Sequence, residues 1–302
     1  LLTRYLGVSA YGQYATVIAI AGTVVTLSDF GFFWSTIHHL NDQTDRLRVL
    51  KEIAALKFLL TAGLLIAGGL FVEFGHYPVA IFQAYLILSI FILASSLNNI
   101  LIALYQTEYR MGWPTLTDVL ARLIGLIFIA IGVYLKLGLA WFVIGVSAAA
   151  AINILLNWGG LRSIVGLVVP KFRGIQWSQY YGSVLLIGLI FSFSVLYYRV
   201  DTLLLSYLRP STDVGIYGVA GKLVEVVEIA NSLFIGALFP ILVASFAEDR
   251  EKFKRYISKS ILALAVLGLV IPVYGLWFAR DAVLLLGGES YVSASTVGYG
   301  GL

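Results

Sequence analysis

Long apolar stretches alternate with short polar segments along the whole chain. Eight of these stretches reach the length of about 20 residues that a helix needs to cross a membrane. They lie at 14–38, 53–73, 80–104, 115–135, 138–160, 179–204, 214–245 and 257–279. Strands of a membrane barrel would be about 10 residues long, with strict alternation of apolar and polar positions. The stretches are longer and continuously apolar, so we predict an all-α polytopic membrane protein with eight transmembrane helices.

Composition supports this prediction. The 302 residues are 60% hydrophobic and only 12% charged, whereas a soluble domain carries about 25% charged residues. The chain contains no cysteine, which excludes disulfides and thiol chemistry.

Lysine and arginine are unevenly distributed between the predicted loops. When residues near the span ends are counted with the adjoining loop, 13 of the 20 fall in alternate loops, Lys57 among them, and five fall in the other set, Arg199 among them. The remaining two, Arg122 and Lys222, lie deeper inside predicted spans. The side with more positive charge is expected to be cytoplasmic. The residues before the first span then lie outside, and the chain begins at Leu1 without methionine. We therefore expect a fragment that lacks an earlier helix.

A short motif occurs twice. Tyr-Leu, a polar turn and Gly-x-Tyr precede two helices, and the Gly-x-Tyr copies, Gly12–Tyr14 and Gly215–Tyr217, are 203 residues apart. Six predicted spans separate them, so both copies have the same orientation, as in transporters built from parallel repeats. We predict an N-terminal lobe lacking its first helix at 1–160, a cytoplasmic linker at 161–178 and the first part of a C-terminal lobe at 179–302. The complete protein would have two lobes of six or more helices.

The same segments resemble the polysaccharide-transporter (Wzx-like) family of the multidrug/oligosaccharidyl-lipid/polysaccharide exporter superfamily. The matching residues are Arg4, Leu6-Gly7, Tyr11-Gly12-Gln13-Tyr14 and Gly31, and then Asp201, Gly215, Tyr217, Ala220 and Phe239-Pro240. The resemblance implies two parallel lobes around a central cavity and alternating access. It also implies that an undecaprenyl-type lipid-linked oligosaccharide moves across the cytoplasmic (inner) membrane for O-antigen, lipopolysaccharide or exopolysaccharide synthesis.

Charged residues inside the spans are candidates for the substrate cavity, because charges within a membrane usually face a cavity or one another. Lys222, Glu225 and Glu228 share one broad helix face, as a cavity-lining stripe or as a self-neutralising pair. Arg199 and Asp201 are two residues apart and do not share a face. They are expected near the outer boundary, as interfacial anchors or as cavity residues.

Three further charged residues leave alternatives open. Asp118 and Arg122 have the i, i+4 spacing of an intrahelical pair, although Arg122 has the planar donor geometry to bind a pyrophosphate instead. Asp29 is the deepest lone acid. It is a candidate proton or sodium site, or a cap for a helix break before Gly31. Asn98 with Asn99, and Asn153 with Asn157, are expected to form hydrogen bonds across helices.

These residues suggest how an anionic lipid-linked head group would cross. Arg122, Arg199 and Lys222 would meet its phosphates, with Asp201, Glu225 and Glu228 nearby, while Asp29 and Asp118 would couple transport to H⁺ or Na⁺. The alternative is a cation-coupled multidrug or small-molecule antiporter of the same superfamily, which should favour acidic over basic cavity groups. A peptidoglycan-precursor flippase is a second alternative. No short loop gathers catalytic groups and no nucleotide motif is present, so we expect neither an enzyme, a cofactor, a metal site nor a nucleic-acid partner.

Overall fold

The structure is a computed structural model that describes residues 1–42, 46–165, 170, 172, 177–248 and 250–292. Within these residues all regular structure is helical. A 3₁₀ turn, Glu289–Tyr291, follows the α-helices. The α-helices are α1 Leu2–Asp29, α2 Phe32–Asp42, α3 Arg46–Phe74, α4 Val79–Thr107, α5 Gly112–Tyr134, α6 Leu139–Val165, α7 Trp177–Leu208, α8 Ser211–Glu248 and α9 Arg250–Gly287.

The all-helical prediction is confirmed, and the protein is a multi-pass membrane protein. Five described segments are both long and apolar enough to cross a membrane: Leu2–Leu40, Arg46–Phe74, Val79–Thr107, Gly112–Tyr134 and Leu139–Arg162. Each lies over one of the first five predicted stretches. The predicted linker, 161–178, falls largely outside the described residues.

The first span is broken, as one of the two alternatives for Asp29 predicted, although hydropathy alone gave a continuous stretch. α1 ends at Asp29 and α2 begins at Phe32. Between them Phe30 has φ 33° and Gly31 has φ 77°, in the left-handed region that glycine enters without a steric penalty. The segment therefore stays apolar while its helix stops, and Asp29 stands at the point where it stops.

Contacts divide the chain into two compact units. Unit A comprises Leu2 and Gln13–Pro210, and unit B comprises Leu1, Thr3–Gly12 and Ser211–Leu302. Unit A contains two apolar clusters. One joins α1, α3, α4 and α6 around Val17, Leu88 and Val143. The other joins α2, α3, α4, α6 and α7 around Leu40 and Ile53. Apolar burial of this kind excludes lipid from the contacts between helices.

A buried polar network also joins α4, α5 and α6 in unit A. Asn98 Nδ2 donates to Asn153 Oδ1 at 2.8 Å, and Asn157 Nδ2 donates to Asn98 Oδ1 at 3.0 Å. Thr117 Oγ1 donates to Asn157 Oδ1 at 2.8 Å. The predicted hydrogen bonds between the asparagine-bearing helices are confirmed. Polar side chains of this kind hold helices together where lipid gives apolar side chains little reason to associate.

Unit B contains a close crossing of two helices. A Cβ atom on Gly12 of α1 would overlap the carbonyl oxygen of Ser211 in α8, and a Cβ atom on Gly215 would overlap the carbonyl oxygen of Val8. Glycine at both positions lets the two backbones touch, as small residues do in membrane helix pairs. The start of the chain also contacts α9, where Arg4 Nη2 donates to the carbonyls of Leu284 at 2.9 Å and Leu285 at 2.6 Å.

Candidate functional site

A buried ion pair lies at the break in the first span. Lys57 Nζ, on α3, donates a hydrogen bond to Asp29 Oδ1. The Lys57 side chain is 0% exposed and that of Asp29 is 14% exposed. The sequence prediction treated Asp29 as a lone acid and assigned Lys57 to a loop. Both assignments were wrong, because α3 begins eleven residues before Lys57 and carries it into the protein interior.

Two buried hydroxyl groups, those of Ser28 and Thr61, lie on the two helices that carry this pair, and a third, that of Ser96, lies on α4. Thr61, one turn after Lys57, lies with Oγ1 2.7 Å from Ser96 Oγ of α4, and Ser96 Oγ lies 3.2 Å from Ser28 Oγ of α1. Ser28 and Ser96 are 0% exposed and Thr61 is 1% exposed. The hydroxyl chain thus links α1, α3 and α4, the first of which ends one residue after Ser28.

Arg199 of α7 lies flat against α1 at Gly22. A Cβ atom built on Gly22 would lie 2.8 Å from Arg199 Cζ and 3.1 and 3.0 Å from its Nη1 and Nη2. Since the central carbon is nearest and the nitrogens are almost equally distant, the face of the guanidinium meets the helix. Its N–H groups therefore point along the helix surface. Within the described part of the chain, the structure gives this side chain no hydrogen bond and no ion pair.

The position of Arg199 bears on what it can bind. Gly22 lies near the middle of the candidate span Leu2–Leu40, so the guanidinium packs beside an inner part of that span, in a space that a larger residue at Gly22 would fill. Arg199 is half-buried, and a charge inside a membrane span usually faces a cavity or an opposite charge. A guanidinium that binds none of the described residues suits a phosphate, with which it can form two parallel hydrogen bonds.

The other cations predicted for the cavity already have partners. Arg122 Nε donates to Asp118 Oδ2 at 2.9 Å, and the two side chains are 76% and 54% exposed. Lys222 of α8 donates to Glu225, and both side chains are more than half exposed. The intrahelical pairing that the spacing indicated is therefore present in both helices. Glu228 lies on an exposed part of α8 as well.

Asp201 differs from these pairs in binding its own neighbour. Its Oδ1 accepts from the backbone N–H of Thr202 at 2.6 Å, and it lies 3.3 Å from the Thr202 hydroxyl. The residue is exposed. Its local contacts position the carboxylate beside α7 and away from the face on which Arg199 meets Gly22, since residues two apart point to different sides of a helix.

The structure brings some of the predicted residues together and separates others. In unit A, Gly22 and Asp29 are seven residues apart on α1, which places them on one face about 10 Å apart along the axis. Arg199 and Lys57 thus both contact α1 along that face. The Asp118–Arg122 pair lies on α5, away from this contact, and the Lys222, Glu225 and Glu228 stripe belongs to unit B.

Two cavities among the described residues of unit A are lined by other side chains. One of about 430 Å³ lies at the turn between α3 and α4 and is lined by Val72, Glu73, His76, Tyr77, Val79 and Phe82. An apolar groove of about 200 Å³ lies between α3, α4 and α6. Among the described residues no cluster of His, Asp and Glu has the arrangement of a metal site.

Comparison with known protein families identifies the group to which the chain belongs. A family model described as polysaccharide biosynthesis protein matches residues 1–246, which is most of the chain. The chain belongs to the polysaccharide biosynthesis protein family. No curated protein and no solved structure shows a significant match. The family match includes α1 to α7, nearly all of α8 and every predicted site residue. Together with the apolar helices, family membership indicates a polysaccharide-related transport role in a membrane.

Proposed function

We propose that this protein translocates a lipid-linked oligosaccharide across the cytoplasmic membrane for polysaccharide biosynthesis, by alternating access and without enzymatic chemistry. Membership of the polysaccharide biosynthesis family supports the substrate class. The observation that carries the proposal is Arg199, an arginine that packs against Gly22 and has no hydrogen bond or ion pair to the described residues. A phosphate-linked head group would supply an anion for this side chain.

The proposal assigns unequal roles to the three cations. Arg199 would make the first contact with the phosphates, because no other group in the described residues competes for it. Arg122 and Lys222 would act later or more weakly, since each must first leave its carboxylate partner. The lipid tail would stay in the bilayer while the head group passes.

The architecture that goes with this function has eight spans in two lobes. α7, α8 and α9 are 32, 38 and 38 residues long, which exceeds the length of about 20 residues that a span needs. The lobes would comprise 1–160 and 179–302 with a cytoplasmic linker, and the undecaprenyl-type substrate would move from the inner to the outer leaflet. Coupling to H⁺ or Na⁺ is part of the same proposal.

A cation-coupled antiporter of the same superfamily remains the second candidate, because the spans contain acids. Asp29, Asp118 and Glu225 each bind a lysine or arginine of the protein itself. An acid already neutralised in this way is a poor site for a cationic drug. The pairing therefore favours the anionic substrate over the antiporter.

Complementation of a deletion strain tests the proposal. Deleting the complete gene in its host should make finished lipid-linked oligosaccharide accumulate on the cytoplasmic side while surface polysaccharide disappears. Restoring the gene with Arg199→Gln should leave surface polysaccharide reduced by tenfold or more, since a charge-assisted hydrogen bond contributes about 1.5–3 kcal/mol. Surface polysaccharide and extracted lipid-linked sugar are measured together.

Two controls sharpen this result. Arg122→Gln removes an arginine from an exposed pair on α5 and should retain most export, whereas Gly22→Leu keeps Arg199 but fills the space that it occupies and should fail. Membrane levels of each variant are quantified by immunoblot. Normal export by Arg199→Gln would overturn the role of Arg199. An unchanged surface polysaccharide in the deletion strain, with new sodium-dependent drug sensitivity, would favour the antiporter.

A further inference from the structure

The break in the first span creates a special electrostatic environment at Asp29. α1 stops there, so its last carbonyl groups lack the intrahelical donors that a continuing helix would provide. The C-terminal end of a helix also carries partial negative charge. An acidic side chain at this end adds to that charge, and both features attract a cation.

Buried hydroxyl groups adjoin the ion pair along α1 and α3, where Ser28 precedes Asp29 and Thr61 Oγ1 donates to the Lys57 carbonyl at 2.7 Å. The Asp29 carboxylate follows the Ser28 hydroxyl directly, and Ser28 connects through Ser96 to Thr61. All three hydroxyl-bearing residues are essentially unexposed. Carboxylates, hydroxyls and free carbonyls are the ligands that hard cations prefer. In transporters, a half-helix that ends inside the membrane commonly places such carbonyls around a coupling ion.

In this chain the positive charge at the break comes from the protein. Lys57 reaches the Asp29 carboxylate from α3 and is 0% exposed. We propose that Lys57 is a tethered cation, whose ammonium group occupies the position of a small monovalent cation at the broken helix. The site then needs no bound Na⁺ while Lys57 is present. This inference concerns the helix break alone and does not depend on which substrate the protein moves.

The charge balance predicts what happens when Lys57 is removed. A buried carboxylate without a partner carries a large desolvation penalty, so it must bind a new cation to remain ionised. Removing Asp29 at the same time leaves a neutral pocket that has no such need. Lys57→Ala and Asp29→Asn/Lys57→Ala therefore both lack the lysine side chain. Only Lys57→Ala retains a carboxylate that needs a cation.

Thermal unfolding of the purified full chain in detergent tests this inference without any transport assay. Unfolding is followed in NaCl, LiCl or choline chloride at equal ionic strength. The Lys57→Ala variant should be stabilised by Na⁺ or Li⁺ over choline, with a saturable rise in Tm of about 5 °C at about 100 times the Kd. The Tm of the native chain should not differ between the three salts, and neither should that of the Asp29→Asn/Lys57→Ala variant.

Each other outcome counts against the proposal. If Lys57→Ala folds and responds to a lower pH but not to Na⁺ or Li⁺, the pocket accepts a proton and not a metal cation. If the native chain itself shows Asp29-dependent stabilisation by Na⁺, Lys57 does not fill the position. If Lys57→Ala fails to fold in every salt while the double variant folds, the freed carboxylate cannot recruit a cation, and the inference is wrong.

Discussion

The C-terminal ends of α3, in unit A, and of α9, in unit B, are held by similar hydrogen bonds. After α3, Gly75 N–H donates to the Phe71 carbonyl at 2.9 Å, and the Tyr77 hydroxyl lies 2.9 Å from Ser206 Oγ. After α9, Gly288 N–H donates to the Leu284 carbonyl at 3.0 Å. The hydroxyl of Tyr291 then donates to the Thr3 carbonyl at 3.2 Å. A glycine followed closely by a tyrosine terminates each helix.

The partners of these tyrosines are related by position in the sequence. Ser206 comes 203 residues after Thr3, the same distance that separates Gly12 from Gly215. The glycine crossing obeys the same offset, since Gly12 meets Ser211 and Gly215 meets Val8. Adding 203 to the number of Gly12 gives Gly215, and subtracting 203 from that of Ser211 gives Val8, so the two contacts are counterparts of each other. These correspondences support the proposal of an internal repeat.

The contacts at the ends of α3 and α9 differ in the side chains that make them. At α9, Arg4 binds two terminal carbonyls, and a cation at this end of a helix is favoured. At α3, the corresponding residue is Tyr207, which stacks on Phe71 with ring centroids 6.4 Å apart. The positions of contact are repeated while the side chains are not. A comparison of residue identities alone therefore finds only the Gly-x-Tyr motif.

The largest effect is expected at the glycine crossing. Gly12→Ala and Gly215→Ala each place a methyl group on a backbone carbonyl, so α1 and α8 must separate, at a cost of about 2–3 kcal/mol in unfolding free energy. If the contacts are counterparts, the two costs agree and the double variant costs less than their sum. Reversible unfolding in micelles measures all three.

A matched control lies on the same helix. A Cβ atom on Gly221 of α8 meets nothing within 4 Å, so Gly221→Ala should leave stability unchanged or raise it by about 1 kcal/mol. A cost at Gly12 with none at Gly215 would show that the two contacts are not equivalent.

An intermediate effect is expected at the contacts that differ between the ends of α3 and α9. Arg4→Ala removes two hydrogen bonds to terminal carbonyls and should cost about 1–2 kcal/mol. Tyr207→Ala removes an aromatic stack, and loss of that pairing should cost about 1 kcal/mol. Only the Arg4 effect should shrink at high salt, because charge interactions at an exposed site are screened. Unfolding at low and high NaCl separates the two, and equal salt dependence would contradict the assignment.

The smallest effect is expected from removing one hydroxyl. Tyr77→Phe should cost about 0.5 kcal/mol, because Ser206 also donates to the Leu203 carbonyl at 2.8 Å and stays satisfied. Tyr291→Phe should cost about 1 kcal/mol, because it leaves the Thr3 carbonyl without this donor. Burial raises the pKa of Tyr291 to about 12, so the hydroxyl remains a donor throughout the neutral range. A larger loss of unfolding free energy for Tyr77→Phe than for Tyr291→Phe would contradict this prediction.

Much of the helical layout was predictable because hydropathy records which segments fit lipid. The stretch predicted at 80–104 became α4, Val79–Thr107, and that at 115–135 became α5, Gly112–Tyr134. α8 and α9 extend beyond their apolar stretches, since a helix continues where its ends are polar. The break at Phe30 and Gly31 was predicted only as one of two alternatives for Asp29, because hydropathy carries no information about backbone angles.

The candidate site was less predictable because its partners are distant in sequence. Lys57 lies 28 residues from Asp29, and Arg199 lies 177 residues from Gly22. No local spacing rule connects such residues. The i, i+4 pair of Asp118 and Arg122 was predictable for the opposite reason, since one helix fixes the distance between them.

α5 exposes most of its surface, and this has a consequence for how the protein is made. Its buried residues are Pro114, Thr117, Ala121 and Gly132, while its large apolar side chains, such as Leu116 and Leu123, are exposed. A helix whose surface already suits lipid can enter the bilayer by itself, before its neighbour has been made. Its association with that neighbour is then a second, lateral step of assembly. α5 is therefore secured only after the ribosome has completed α6, when Thr117 meets Asn157.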